Sequence, residues 1–174
     1  MKNIKYILIS SISIFMLTVL VHFVYDILKL DIIAIIFPTN ESIFQHMKMI
    51  FTSFFIFYVI LFFMKRRFQY NNIFLTNIIS VLICIVFFLS IYLIIRFRFG
   101  DNMIVTFILL FISIMLGQAL SYSFLKKDKD TSLNILSLII IVIIFMIMGY
   151  FTFNPLHNDM FWDSEHETYE KVTK

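Results

Sequence analysis

The sequence predicts an all-α integral membrane protein: a compact bundle of five transmembrane helices, with the N-terminus in and the C-terminus out. Three observations predict it. The chain of 174 residues is 61% hydrophobic and only 14% charged, with a mean hydropathy of +0.95. Soluble domains sit near roughly 45–50% apolar and about 25% charged. The excess is gathered into five apolar runs, at 6–24, 49–64, 74–95, 103–124 and 133–153. Four of them reach the roughly 20 residues that a crossing helix needs. Finally, alternating the runs across a bilayer puts eight basic residues and two acids on one side, against six basic residues and nine acids on the other. The side richer in Lys and Arg is the cytoplasmic one by the positive-inside rule.

Each element then follows in order. Lys2 and Lys5 precede the first helix, about 4–26. The pattern imitates a signal peptide, but no Ala-x-Ala-like site follows, so an uncleaved spanning helix is expected. Asp31–Phe37 is apolar and too short to cross, which suits an interfacial piece. Pro38 ends it, and Thr39 and Asn40 offer a cap for a second helix over 41–64. At about 1.5 Å per residue this helix is roughly 36 Å long, with Glu41 in its first turn near the positive end of the dipole. Lys65, Arg66 and Arg67 close it. The third helix, 74–97, carries Asn77, Ser80 and the lone Cys84, and ends on Arg96 and Arg98. Asp101 opens the fourth, 102–124, in which Ser113, Gly117 and Ser121 form the small-residue stripe of close helix packing in lipid. Gln118 lies beside that stripe and is expected to bond to a neighbour, with Asn77 and Ser80 as the candidates. Lys126, Lys127 and Lys129 precede the fifth helix, 133–153, and an extracytoplasmic tail of 154–174 follows. With three Gly and two Pro there is no linker, so 1–174 reads as one domain.

The basic clusters are short and lack interleaved aromatics. They read as topology determinants, and nucleic acid is not an expected partner. The bilayer is.

The candidate site comes from the same alternation. All four histidines fall on the acidic side. His22, Asp26 and Lys29 share one helical face at i, i+4, i+7, so Asp26 is placed to orient the His22 imidazole. Glu41, Gln45 and Lys48 make a second stripe, with Ser42 and His46 beside it. Capping explains Asn40 and Glu41, but not a histidine and a lysine entering an apolar helix. Phe161 and Trp162 suit an interfacial belt and would bring His157, Asp159 and Asp163 back to the bundle mouth. His22, His46 and His157 are the candidate ligands for a divalent metal. His166 is expected to be solvated.

Val21-His22-Phe23-x-Tyr25 and Phe37-Pro38-x-Asn40-Glu41-Ser42-x-x-x-His46-x-Lys48, with Phe151-Thr152-Phe153-x-Pro155 and Phe161-x-Asp163 in the tail, resemble an uncharacterised family of small bacterial multi-pass membrane proteins. The resemblance runs from the first helix to the tail. It implies five helices in a bacterial cytoplasmic membrane and supplies no activity. Members often carry Trp-Glu before the histidine, where this chain has Phe44 and Gln45.

Three functions remain open at this point. One is a structural or accessory membrane component, working as a dimer or in a larger complex. Another is a metal- or acid/base-dependent enzyme acting on a lipid headgroup or lipid-linked phosphate. In that case His46 or His22 is the base, Asp26 orients, Glu41 or Asp163 is acid or ligand, and Lys48 and Arg96 bind the anion. The third is a small-ligand transporter. No membrane-crossing line of ionisable groups supports it.

Overall fold

The structure, a computed structural model, describes residues 2–68, 70–100 and 102–170. Asp101, Lys171 and Lys174, which enter the charge pattern, lie outside the described residues, as do the side chains of Lys2, Lys65, Arg66 and Arg67. Among the described residues six helices form: α1 (Lys2–Leu28), α2 (Asp31–Ala34), α3 (Ile43–Phe68), α4 (Ile73–Phe99), α5 (Met103–Lys126) and α6 (Thr131–Phe153). Five of these are long and apolar enough to cross a membrane. They run up and down, so the α1–α3 and α4–α5 connections and the tail share one end, the histidine end. The α3–α4 and α5–α6 connections share the other, the lysine end.

Which face of each helix points inward is set by polarity rather than by apolarity. On α1 the buried stripe is Ser11, Ile14, Thr18, Val21 and Tyr25, while Ile9, Ile12, Met16, Leu20, Phe23 and Ile27 are exposed. Lipid is as apolar as leucine, so the exposed face gains nothing by turning inward, and the small and polar side chains take the interior. The same sorting puts Thr76, Asn77 and Ser80 of α4 and Ser113, Gln118 and Ser121 of α5 at the core.

The α4–α5 seam is the closest. A Cβ on Gly117 would sit 2.5 Å from the backbone oxygen of Ser80, so only glycine fits. Beside it the Tyr58 hydroxyl bonds to Ser80 Oγ at 2.8 Å and accepts from Gln118 Nε2 at 3.2 Å. The hydroxyls of Ser80 and Ser121 also bond to each other. Gln118 therefore does find a neighbour, with α3 supplying the tyrosine between it and Ser80. Asn77 is not part of this network, and its side-chain amide has no hydrogen-bond partner among the described residues.

Helix α3 starts at Ile43, two residues later than the sequence pattern suggested. Asn40 Oδ1 accepts the Ser42 amide at 3.0 Å, which holds 40–42 out of the helix, and Ser42 Oγ takes the Gln45 amide at 3.3 Å. Ser42 is thus the cap, and Glu41 stands in the connection before the helix rather than in its first turn. The interfacial piece is the short α2, which continues as a turn to Phe37. Its last carbonyls, Ala34 and Ile36, accept from Lys48 Nζ at 2.8 Å and Thr52 Oγ1 at 2.6 Å, which answers the orphan acceptors of a helix end. On the other side Ile35 rests on Gly149 of α6.

Substituting Gly117 tests the seam. Gly117→Ala is expected to destabilise the protein by about 1–3 kcal/mol, the usual cost of overpacking, with Gly117→Leu worse. Thermal unfolding in detergent reads this, and an unchanged midpoint for both variants would contradict the close approach.

Candidate functional site

The tail builds the histidine end. Asp163 is fully buried, and four N–H groups surround its carboxylate. The Glu41 amide donates to Oδ2 at 3.0 Å and the His166 ring Nδ1 to the same oxygen at 2.8 Å. The amides of Glu165 and His166 donate to Oδ1 at 2.9 and 3.2 Å. The Asp163 and Thr168 backbones pair across an antiparallel bridge, closing a small loop. Three more contacts fasten the tail to the start of α3. The Phe44 amide donates to the Met160 carbonyl at 2.9 Å, Asn40 Nδ2 donates to the Glu170 carbonyl at 3.0 Å, and Phe161 stacks on Phe44 at 4.4 Å between ring centroids.

The docked tail, the ends of α1, α3, α4 and α5, and the 38–41 connection enclose a cleft of about 740 Å³. Glu41 stands between two imidazoles. Its Oε1 is 3.4 Å from His22 Nε2, and its Oε2 is 3.4 Å from His46 Nε2. The two rings lie nearly parallel, 6.3 Å apart. His46 Nδ1 is 2.9 Å from the Ser42 carbonyl oxygen. That oxygen can only accept, so Nδ1 carries a hydrogen, and Nε2 is the nitrogen that gains or loses a proton in the cleft. All three side chains are about one-third exposed (30–33%), open to a ligand yet shielded from bulk water.

Glu41 and Asp163 lie outside the spanning segments, and both are held below the usual carboxylate range. For Glu41 the His46 imidazole is the main cause, and it outweighs burial. For Asp163 burial is the largest influence and acts upward, but the Glu41 amide, the His166 ring and the amides of His166 and Glu165 together overcome it.

The residues singled out from the sequence divide. His22, Asp26, Glu41, His46 and Arg96 all line the cleft. The carboxylate at ion-pair distance from His22 is that of Glu41, however, rather than that of Asp26. Asp163 is not in the lining, because its oxygens are turned inward onto the tail and the Glu41 amide. Lys48 is also absent. It is fully buried, its ammonium bonded to the Ala34 carbonyl and to Thr152 Oγ1 at 2.7 Å. His157 stacks on Tyr169, with centroids 4.6 Å apart, and does not join the histidine pair. Among the described residues no three His, Cys, Asp or Glu side chains are arranged to hold a metal ion. His166, expected to be solvated, is exposed, and it also bonds to Asp163 and forms part of the cleft wall with Ser164 and Glu165. Tyr92, Asn102, Met103, Thr106 and Phe107 complete the wall unannounced. Asn102 carried a readable signal as the cap of α5, whose Ile104 and Val105 amides it accepts, but nothing in that role points to a site.

Fold and cleft together define a multi-pass membrane protein of five apolar helices with a polar cleft at one end. The chain belongs to the family of unknown function DUF6512, whose family model matches residues 1–170. No curated protein and no solved structure matches it.

Asp163→Asn is expected to release the tail, because an amide replaces one oxygen with a donor that faces N–H groups. The cost is about 1–3 kcal/mol for leaving a buried N–H without its acceptor, read as faster proteolysis of 154–170 in detergent. Acid should do the same. With folded values depressed, the stability from Asp163 and Glu41 is full above about pH 4, the unfolded carboxyl range, and is lost as pH falls through the folded values. A tail equally protected at pH 7 and pH 3 would contradict this.

Proposed function

We propose that the cleft is an acid–base centre acting on a lipid headgroup or lipid-linked phosphate, at the outer face of a bacterial cytoplasmic membrane. The observation that carries the reading is Glu41 set between two Nε2 atoms in an open cleft at the end of the bundle. His46, its other nitrogen tied to the Ser42 carbonyl, accepts a proton at Nε2. Glu41, ionised at neutral pH, stabilises the imidazolium that results, and His22 is the second proton carrier. Arg96, steadied by Tyr92, is the cation for developing phosphoryl charge. Among the described residues no serine hydroxyl or cysteine thiol is bonded to a histidine ring, which favours water or a substrate hydroxyl as the attacking group. Asp26 and Glu165 are the remaining carboxylates in the lining.

A structural or accessory role is the second reading. The observation favouring it is the latch itself: Asp163 ties the tail and the 38–41 connection into one rigid cap, as a docking platform for a second copy or a larger membrane complex would require. Transport has less support, because Ile14, Ile50, Phe54, Phe88 and Ile114 fill the core with buried apolar side chains.

Purified protein in phospholipid vesicles, followed by ³¹P NMR, separates the first two. On the acid–base reading headgroup phosphorus is converted, and Glu41→Gln and His46→Ala each slow it by about 10²–10⁴-fold. If the wild type converts nothing while both variants unfold at lower temperature, the accessory role stands in its place.

The orientation, N-terminus in and C-terminus out, rests on the placement of Lys and Arg. Cys84, the single cysteine, is buried and leaves a silent background. A membrane-impermeant maleimide should label Asp159→Cys in intact cells and leave Lys127→Cys unlabelled until lysis. The reverse pattern inverts the topology.

A further inference from the structure

Two properties of the cleft lining go beyond acid–base chemistry. Its permanent charges are mixed, with Lys29 and Arg96 set among Asp26, Glu41 and Glu165. With more carboxylates than permanent cations, the lining does not favour a bare anion, since like charges in a low-dielectric cleft repel. A headgroup carrying both signs meets a partner for each. The second property is an open apolar wall. Phe23 on α1 and Met103 and Phe107 on α5 line the cleft while remaining 51%, 71% and 41% exposed. Below them Phe15 of α1 meets Phe107 and Phe111 of α5 edge-on, with centroids 6.2 and 5.6 Å apart, and joins the two helices. The cleft therefore opens sideways, between α1 and α5 above Phe15, onto surface that crosses the membrane.

We propose that the cleft takes a zwitterionic phospholipid, with phosphate and ammonium in one headgroup, that enters from the bilayer between α1 and α5. The phosphate meets Arg96, the ammonium meets Asp26 and Glu165, and the first chain segments lie on Phe23, Met103 and Phe107. This rests on the reading of the cleft as a headgroup site and names the headgroup.

The test uses the full chain in detergent, offered equal amounts of phosphatidylethanolamine and phosphatidylglycerol, with bound lipid read by native mass spectrometry. Phosphatidylethanolamine should be retained about tenfold over phosphatidylglycerol, and Arg96→Gln and Asp26→Asn should each lower its retention about tenfold, as expected for one charge-assisted hydrogen bond. O-phosphoethanolamine, the same headgroup without chains, should not displace the lipid at equal concentration. Equal retention of the two lipids, or preference for phosphatidylglycerol, overturns the zwitterion. So does undiminished retention in both variants when their unfolding temperature matches the wild type. Displacement by phosphoethanolamine overturns access through the bilayer. The acid–base reading survives these failures if Glu41→Gln still abolishes headgroup conversion. If conversion is absent while phosphatidylethanolamine is retained as expected, that reading alone fails and the lipid site remains.

Discussion

Asp163 has no exposed surface, and both of its oxygens are occupied by N–H groups. A buried carboxylate is tolerable only when its charge is met in this way. Meeting it fixes the rest of the histidine end. The Glu41 amide is drawn to Oδ2, so the Glu41 side chain leaves the connection toward α1 and α3 rather than toward water. The His166 ring is drawn to the same oxygen and becomes part of the cleft wall. Without the latch the tail would have Phe161 on Phe44, the Phe44 amide on the Met160 carbonyl and the Asn40 side chain on the Glu170 carbonyl to hold it, and one side of the cleft would be missing.

The same rule governs the interior. In lipid a helix cannot leave polar groups unpaired without cost. Lys48 shows how this is handled at depth. Its ammonium covers the carbonyl end of α2 and reaches Thr152 of α6, and Gln45 reaches the same threonine. One threonine hydroxyl thereby couples α6 to α3, and α2 is held between them. Nearer the lysine end, Tyr58, Gln118, Ser80 and Ser121 satisfy one another where Gly117 lets α4 and α5 approach. Between these two polar layers the core holds apolar side chains such as Ile50, Phe54 and Ile114, with the Ser53 and Ser113 hydroxyls bonded back to their own helices. The polar cleft therefore stands at the histidine end, clear of both layers.

Within the cleft, tautomer and placement act together. The Ser42 carbonyl that fixes His46 Nδ1 belongs to the residue whose hydroxyl caps α3. The turn that starts the helix also orients the imidazole, and the residue just before that turn supplies the carboxylate. A helix beginning at Glu41 would have carried that carboxylate on the helix surface. Beginning at Ile43 leaves it between two histidines.

The sequence by itself determined the membrane class, the five crossing helices to within a few residues, and which residues share one end of the bundle. Run length and alternation are one-dimensional properties, and bilayer thickness converts them directly into topology. It also singled out His22, Asp26, Glu41, His46 and Arg96, because polar groups at the edge of apolar helices are conspicuous. Only the tertiary structure decided how these residues are used. A lysine entering an apolar helix is expected to turn toward the interior, but no local pattern showed that Lys48 would bond to the Ala34 carbonyl and Thr152. Nor did any local pattern reveal that Asp163 would turn away from the cleft to hold the tail while His166, three residues on, would turn toward it. Those outcomes depend on which N–H groups a buried carboxylate can gather from distant parts of the chain, and that is settled only when the tail folds back onto the bundle.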